Sequence, residues 1–301
     1  MNALVTGGTG FIGRKLLARL ERPAVLSRDA VRAEKELAAY SARAFAWSPL
    51  ASPPPMEAFA GVDTVFNLAG EPVGDRRWNA AKKQAIRESR VLGTRNLVDA
   101  VAKLDARPRV LVSASAVGYY GDRGDELLDE SSSPADDFLA QVCVEWEREA
   151  ARAEALGVRV VQVRTGVVLG KEGGALPKML FPFKLGLGGR LGSGKQWMPW
   201  IHINDVVGIM LHAATNDQVR GPINAVAPSS ATNAEFTKAL GKALGRPTIF
   251  PMPAAIFELL VGEFAQIVLS SQKIAPRVAR DTGYRFQHPE IHEALRDIVA
   301  R

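Results

Sequence analysis

Short apolar runs alternate with longer amphipathic stretches through the first two thirds of the chain. The runs have the length and composition of buried parallel strands and lie at Ala3–Thr6, Ala24–Ser27, Ala44–Trp47, Thr64–Leu68, Arg109–Ser113 and Val158–Arg164. The stretches between them carry apolar residues at helical spacing and predict helices over Phe11–Glu21, Asn79–Lys103 and Asp136–Leu156. This alternation predicts an α/β fold built on a doubly wound parallel sheet.

The pattern changes after Gly170. A glycine-rich, basic segment, Gly186–Lys195, comes first, and a helix with Asp205 as its N-cap is predicted to run to about Thr215. Further helices are predicted over Asn233–Leu244, Ala254–Leu269 and Ile291–Val299. We therefore predict a larger α/β domain over residues 1–170, with a further part within 197–226, and a smaller, mostly helical region over 171–301.

Composition narrows the class of protein. Among 301 residues, 47% are hydrophobic and 23% are charged, which is ordinary globular usage. The net charge of +6 is not gathered into a run of like charges, so no nucleic-acid partner is predicted. The longest apolar region, 249–269, is broken by prolines and glutamates, and no signal-peptide pattern opens the chain. A cytoplasmic protein without a membrane partner is predicted.

Neither thiol nor imidazole chemistry predicts a metal site. Cys143 is the single cysteine, which excludes an intramolecular disulfide and a multi-cysteine site. The four histidines are scattered along the sequence and lack paired acids or thiols, at His202, His212, His288 and His292. No metal is predicted, and Cys143 is interpreted as a small buried apolar residue.

A glycine cluster lies between the first predicted strand and the first predicted helix. Glycine there allows the backbone to approach a dinucleotide pyrophosphate, and the helix supplies free N–H groups. The alternative is a tight strand-to-helix turn without a ligand. The strand before the cluster and the helix after it favour cofactor binding through Gly7, Gly10, Phe11, Ile12 and Gly13.

The end of the second strand distinguishes the two dinucleotides. An NAD site places an acid there to accept from the ribose 2′-OH, whereas an NADP site uses arginine to meet the 2′-phosphate. Here Ser27 and Arg28 follow Leu26, and Asp29 comes too late and is expected to point into the next loop. NADP(H) is predicted, the alternative for Arg28 being a solvated loop residue.

At this point the chain resembles the extended short-chain dehydrogenase/reductase superfamily, in its nucleotide-sugar epimerase branch. Four segments carry most of the resemblance, namely Thr6–Gly13, Gly61–Gly70, Val112–Gly121 and Arg164–Gly170. Residues from about 250 to 298 resemble the C-terminal domain of unknown function in a subgroup called epimerase-family proteins, some of whose members have been called cell-division inhibitors. The resemblance implies a Rossmann-type fold with a smaller substrate-side domain.

The resemblance also implies individual roles around the cofactor. Leu68, Ala69 and Gly70 match the loop beneath the adenosine ribose and pyrophosphate, and Ser113 is placed with the cofactor contacts. Arg90 replaces an asparagine that reaches the cofactor in sugar epimerases, and its alternative is a solvated helix residue. The segment along the nicotinamide corresponds to Thr165, Gly166 and Val167.

One departure from the family bears directly on catalysis. The superfamily uses a Tyr-x-x-x-Lys pair as its acid and base, but this chain has Leu139 and Cys143 at those positions, or Phe138 and Val142 with a shift of one residue. The remaining candidates for proton transfer are Ser115, which matches the superfamily's catalytic serine or threonine, and Tyr120.

An anionic or planar small-molecule substrate is expected over the nicotinamide. The candidates that would bind it are Arg76, Arg77, Trp78, Arg190, Trp200 and His202. The alternative is a basic mobile loop with core tryptophans. Two functions follow: an NADP(H)-dependent, epimerase-like oxidoreductase, or a non-catalytic NADP(H)-binding regulator that acts through a protein partner. The oligomeric state stays open.

Overall fold

A seven-stranded, all-parallel sheet forms the centre of the protein. The computed structural model describes residues 1–300, apart from the side chain of Lys178. From edge to edge the sheet consists of β3 (Arg43–Ala46), β2 (Ala24–Ser27), β1 (Ala3–Thr6), β4 (Thr64–Asn67), β5 (Val110–Ala116), β7 (Arg159–Thr165) and β11 (Gly221–Ala225). The order reverses on either side of β1, which confirms the predicted doubly wound α/β fold.

Three pairs of short strands lie outside this sheet. They are β6 (Leu127–Leu128) with β13 (Lys273–Ile274), β8 (Val167–Leu169) with β10 (Trp200–His202), and β9 (Trp197–Met198) with β12 (Ala231–Thr232). The first pair joins the C-terminal region to the loop that follows β5.

Eleven α-helices are formed within residues 1–300. They are α1 (Phe11–Leu17), α2 (Ala30–Glu36), α3 (Ala80–Ala102), α4 (Phe138–Ala151), α5 (Leu176–Lys184), α6 (Ile203–Thr215), α7 (Asn233–Leu244), α8 (Ala254–Val261), α9 (Ala265–Leu269), α10 (Arg277–Asp281) and α11 (Ile291–Ala300). None of these helices has the length and apolarity needed to cross a bilayer.

Two predicted helices differ from the structure for local reasons. The helix predicted over 254–269 is interrupted by Gly262, whose φ of 67° cannot continue a right-handed helix, so that α8 and α9 are separated by a 3₁₀ turn. Asp205 is not the N-cap of α6, because His202 takes that position and accepts a hydrogen bond from the N–H of Asn204.

The sequence pattern does not predict the seventh strand, β11, because its proline and asparagine interrupt the apolar run.

Alternating side chains of the strands fill two apolar cores, one on each face of the sheet. Leu4, Val65 and Leu111 point toward α3 and α4, whereas Val5 and Phe66 point toward α1 and α6. Because both faces are covered by helices, the strands are apolar along nearly their whole length. Thr6, Asn67, Ser113 and Ser115 are buried polar exceptions at or near the carboxyl ends, where the candidate site lies.

Two buried carboxylates fasten the C-terminal region to this core. Asp205 has no exposed surface and accepts from the Tyr284 hydroxyl at 2.9 Å and from the N–H groups of Gln287 and His288 at 2.7 and 2.9 Å. Glu130 accepts from the N–H groups of Asn224 and Val278 at 2.9 and 3.1 Å, and burial raises its pKa.

We expect Asp205→Ala to lower the free energy of unfolding by about 3 kcal/mol, because it strands buried donors that now bind a charged acceptor. Urea unfolding measures this change. Asp105→Ala, at an exposed aspartate, is the control and should change the free energy by less than about 0.5 kcal/mol. Equal stability of the two variants would contradict the role given to Asp205.

Candidate functional site

The glycine-rich turn after β1 has the geometry of a dinucleotide-binding loop. Gly7 has φ of 70°, and a Cβ there would lie 2.9 Å from the carbonyl of Leu68. The N–H of Gly10 donates to the Gly7 carbonyl at 3.0 Å, which closes the turn. A Cβ on Gly13 would collide with the same carbonyl, so α1 packs directly against the turn. These are the turn-forming and packing roles that the glycine fingerprint requires.

A buried hydrogen-bond network holds the second loop beside this turn. The Thr6 hydroxyl donates to Asn67 at 2.9 Å and accepts from the N–H groups of Leu68 and Ala69, each at 2.9 Å. The Asn67 side chain donates in turn to the hydroxyls of Thr94 and Ser113, at 2.8 and 3.2 Å. Thr6, Asn67 and Thr94 were not predicted from the sequence, since isolated polar residues in strands and helices carry no local signal.

Ser113 was predicted to contact the cofactor. The structure leaves it no exposed surface, and its hydroxyl belongs to the network that supports residues 68–70.

The end of β2 presents a basic side chain and no free acid. Arg28 is exposed, and within residues 1–300 it forms no ion pair. Asp29 is the N-cap of α2 and accepts from the N–H of Arg32 at 2.9 Å, so its carboxylate points into the following turn. The hydroxyl of Ser27 donates to the carbonyl of Asp29 at 3.1 Å.

The side chains of Phe11 and Ile12 pack inside the protein. The Phe11 ring fills the space left by three glycines that follow β8, and a Cβ on Gly173 would lie 2.6 Å from it. Ile12 packs against the core on the α1 face of the sheet. Both residues are half-buried.

The segment after β7 is fixed by its own backbone. The N–H of Gly166 donates to the carbonyl of Ala225 at 3.0 Å, and that of Val167 donates to the carbonyl of Pro199 at 2.6 Å. Thr165 donates from its hydroxyl to Val163 at 3.2 Å. A Cβ on Gly166 would collide with the Pro199 carbonyl, so glycine is required there by packing.

Arg90 is not a solvated helix residue. Its guanidinium donates to the carbonyls of Glu71 and Ile86 at 3.0 and 3.1 Å and lies against Gly70. It also lies 5.2 Å from the ring centroid of Trp146. Burial lowers the pKa of Arg90. A cation is thus held directly beside the loop predicted to carry the cofactor.

Cys143, at the position of the family's lysine, is buried. Its thiol donates to the carbonyl of Ala116 at 3.6 Å, and burial raises the pKa of the thiol to about 12. The thiol is neutral at physiological pH and does not replace the missing cation.

An ion pair joins β7 to α4 beneath the predicted catalytic serine. Arg164 donates from Nε and Nη2 to the two carboxylate oxygens of Glu147, each at 2.8 Å. The Ser115 hydroxyl donates to the same carboxylate at 2.6 Å. Ser115 is 3% exposed and is therefore buried.

Tyr120, the second predicted catalytic residue, is wholly interior. Its hydroxyl donates to Asn224 at 2.7 Å and accepts from Arg164 at 3.0 Å, and none of the residue is exposed. Burial raises its pKa to about 12. A neutral phenol that donates and accepts a hydrogen bond within the core has a structural role, so Tyr120 is not proposed as an acid or base.

The loop after β4, residues 70–79, is anchored by a lysine that the sequence did not single out. Lys82 is 1% exposed and forms ion pairs with Glu71 at 2.7 Å and Asp75 at 2.6 Å. Both carboxylates precede α3 in the loop 70–79, so the buried ammonium fixes the shape of that loop.

Arg76 and Arg77 are exposed in this loop, whereas Trp78 is pinned to it. The Trp78 indole N–H donates to the carbonyl of Val73 at 2.7 Å, and its ring meets the edge of Phe138 at 5.6 Å. Arg76 lies 3.8 Å from Glu71, and the guanidinium of Arg77 lies against Gly262.

The other predicted substrate contacts do not gather around this loop. Arg190 is exposed and donates to the carbonyl of Ser193 at 3.2 Å. Trp200 is 1% exposed, and its indole donates to the carbonyl of Ser229 at 3.0 Å. His202 is buried as the N-cap of α6. Trp200 and His202 therefore belong to the interior and not to a ligand-lined surface.

The prediction that the histidines stay apart is wrong for two of them, because the loop after α10 folds back onto α6. His202 and His288 lie with ring centroids 3.7 Å apart, and Nε2 of His202 is 3.5 Å from Asp297. The N–H of Asn204 donates to Nδ1 of His202 at 3.1 Å, so a neutral ring carries its proton on Nε2. A histidine that binds a metal through one ring nitrogen donates a hydrogen bond from the other nitrogen. In His202 the second nitrogen, Nδ1, accepts a hydrogen bond, so this arrangement does not fit a metal site.

Residues 3–225 match the family model described as NAD dependent epimerase/dehydratase family. The chain belongs to this family. Residues 252–298 match a second model, described as a domain of unknown function, DUF1731. The family match spans the sheet and the glycine-rich turn, and the second match spans α8 to α11 except for the last two residues of α11.

Family members similar over their whole length come from distant organisms. The epimerase family protein SDR39U1 of Homo sapiens is 40% identical over 308 residues, covering all of both chains. The chloroplastic homologue of Arabidopsis thaliana is 41% identical and covers 99% of this chain and 87% of that protein. The solved structure of human SDR39U1 (isoform 2) with NADPH has a TM-score of 0.89 at 38% identity, with full coverage of both chains.

A structure of UDP-glucuronic acid 4-epimerase from Bacillus cereus, in complex with UDP-glucuronic acid and NAD, also matches. It has a TM-score of 0.79 at 16% identity. At that identity the likeness concerns the fold alone.

We expect Tyr120→Phe to lower the free energy of unfolding by about 1–2 kcal/mol at pH 7, because Arg164 and Asn224 lose a buried partner. The folded-state pKa of about 12 exceeds the unfolded value of about 10, so this contribution should fade as the pH rises from 10 to 12. Urea unfolding across that range measures the difference between variant and wild type.

The control for this experiment is Tyr40→Phe, at a half-buried tyrosine whose hydroxyl has no hydrogen-bond partner within the described residues. It should leave the free energy nearly unchanged at every pH. A Tyr120 difference that stays constant between pH 10 and 12 would show that the phenol ionises in the folded protein.

Proposed function

We propose that this protein is an NADP(H)-dependent, epimerase-like oxidoreductase acting on a small-molecule substrate whose identity is unknown. The observation that carries the cofactor choice is the end of β2, where Arg28 is exposed and unpaired and Asp29 is used as a helix cap. The Asp29 carboxylate caps the first turn of α2 through the N–H of Arg32, whereas an NAD site directs its acid at a ribose hydroxyl. The similarity to a structure solved with NADPH supports the same choice.

The described residues fit a dinucleotide along the carboxyl edge of the sheet. Gly7, Gly10 and Gly13 would leave room for the pyrophosphate, and residues 68–70 would lie beneath the ribose. Ser27 and Arg28 would meet the 2′-phosphate. Arg90, held against Gly70, would add a second positive charge. When bound, the cofactor supplies or accepts a hydride.

We expect Arg28→Ala to weaken NADPH binding by about tenfold to a hundredfold, the loss of one charge-assisted contact to phosphate. Binding of NADH, which has no 2′-phosphate, should be unchanged. Fluorescence titration of both nucleotides measures this.

Arg148→Ala, at an exposed arginine on α4, is the matched control and should bind both nucleotides as the wild type does. Equal affinity of the wild type for NADPH and NADH would end the assignment of NADP(H).

Ser115 is the proposed catalytic hydroxyl. It is the polar group that the family resemblance places beside the nicotinamide, and its hydroxyl donates to Glu147 at 2.6 Å. Glu147 could receive a proton from Ser115 while the serine oxygen takes one from a substrate hydroxyl. Arg164 orients that carboxylate through its two hydrogen bonds.

The usual base of sugar epimerisation has no counterpart at this position. Leu139 and Cys143 offer neither a phenol nor an ammonium, and the phenol of Tyr120 is buried. We therefore propose that turnover of nucleotide sugars by the standard 4-hydroxyl oxidation is absent, since general acid–base help of this kind is worth roughly 10² to 10⁴ in rate.

With a substrate found by a thermal-shift screen of metabolites on the NADPH complex, we expect Ser115→Ala to lower NADPH oxidation by about 10² or more. NADPH affinity, measured separately, should stay within about twofold because Ser115 is not assigned to cofactor binding. Full activity of the variant would remove Ser115 from the mechanism.

A second function, a non-catalytic NADP(H)-binding regulator acting through a protein partner, is favoured by one observation. The positions of the missing acid and base are filled by Leu139 and by the buried thiol of Cys143. Tight NADPH binding with no turnover across the whole screen would favour the regulator. A cytoplasmic location remains a prediction under either function.

A further inference from the structure

Exposed apolar side chains are concentrated on one part of the substrate-side region. Of 13 large hydrophobic residues that are exposed among the described residues, eight lie within residues 181–187 and 249–260. Single exposed hydrophobic residues are ordinary on protein surfaces, but contiguous apolar patches mark contact surfaces.

Backbone contacts bring these two segments together. The N–H of Phe250 donates to the carbonyl of Gly188 at 3.4 Å, and that of Met252 donates to the carbonyl of Arg190 at 2.9 Å. Leu185 and Leu187, which are 60% and 56% exposed, therefore lie next to the strand-like segment that carries Ile249 and Phe250. The two segments form one continuous surface.

Helix α8 extends this surface. Not one of its eight residues is buried. Leu259 and Leu260 lie three and four positions after Ile256, so the three side chains are on one side of the helix. Leu259 is 74% exposed. A helix this apolar is ordinarily covered in a folded protein.

The charges around the patch are nearly all positive. Residues 181–195 and 242–260 contain five basic residues and one acid. The basic ones are Lys184, Arg190, Lys195, Lys242 and Arg246, all exposed, and none forms an ion pair within residues 1–300. The acid is Glu258. Arg190, predicted to meet the substrate, belongs to this rim.

We propose that this apolar face with its basic rim, residues 181–195 and 242–260, docks onto the surface of an anionic lipid bilayer. Apolar side chains that enter the acyl boundary, together with lysine and arginine at headgroup level, are what such a surface binds. A second copy of the chain is disfavoured by charge, since a two-fold contact would place two cationic rims against each other. The sequence-based prediction of no membrane partner rested on the lack of a spanning segment and does not bear on surface attachment.

Co-sedimentation with vesicles tests this inference independently of cofactor or catalysis. The full chain should bind vesicles of phosphatidylcholine mixed with phosphatidylserine and should bind pure phosphatidylcholine at least tenfold more weakly. Leu259→Glu should lower the partition coefficient at least tenfold. Lys184→Gln and Arg190→Gln should each lower it about fivefold.

Leu127→Glu is the matched control, because Leu127 is 64% exposed on a different element, β6. It should bind vesicles as the wild type does, and circular dichroism and urea unfolding should show that every variant is folded. Absence of vesicle binding, or binding that ignores both phosphatidylserine and Leu259→Glu, overturns the proposal. A dimer in sedimentation velocity without lipid that Leu259→Glu dissociates also overturns it and assigns the face to self-association.

Discussion

The ion pair of Arg164 and Glu147 connects more of the site than any other contact described above. Arg164 is 3% exposed, and its guanidinium also lies 3.5 Å from the ring centroid of Tyr119 and donates to Tyr120. Removing one member of a buried pair typically costs about 3–5 kcal/mol, because the other charge is left without compensation. The position of Ser115 depends on this pair, since the serine hydroxyl has its 2.6 Å contact with Glu147.

The same arginine links the candidate site to the C-terminal region. The Tyr120 hydroxyl donates to the side chain of Asn224, which in turn donates to the carbonyl of Ala275 at 3.0 Å. From the opposite direction, Gln272 donates to the carbonyls of Val117 and Gly121, at 3.0 and 2.8 Å. The turn between β5 and β6 is thus held from both sides. The segment matched to the domain of unknown function therefore holds the turn that follows β5 and cannot be removed without releasing this turn.

Sequence reasoning predicted what depends on local pattern. The apolar pattern predicted the first residue of each of the six strands to within two residues. The helix over 233–244 was predicted correctly at both ends, and the glycine spacing located the turn after β1. Contacts between residues far apart in the chain could not be predicted from the sequence. The histidines at 202 and 288 are brought together by the loop after α10, and the buried ammonium of Lys82 looks like one of many surface lysines in a helical pattern. The sequence does not distinguish whether Tyr120 and Trp200 belong to a ligand site or to the core, and their burial in the structure assigns both to the core.

The loop 70–79 lies between the turn that follows α8 and the loop predicted to carry the cofactor. Phe264, in the turn after α8, packs against Gly74, where a Cβ would lie 2.9 Å from its ring, and Lys83 pairs with Glu263. The other end of the loop carries Glu71, whose carbonyl accepts from Arg90 and whose carboxylate accepts from Lys82. Because Arg90 lies against Gly70, packed or hydrogen-bonded groups lead without a gap from α8 to the loop beneath the expected ribose. If both proposals hold, a bilayer that orients α8 would act on the same loop that contacts Arg90, and docking and cofactor binding would share one structural element.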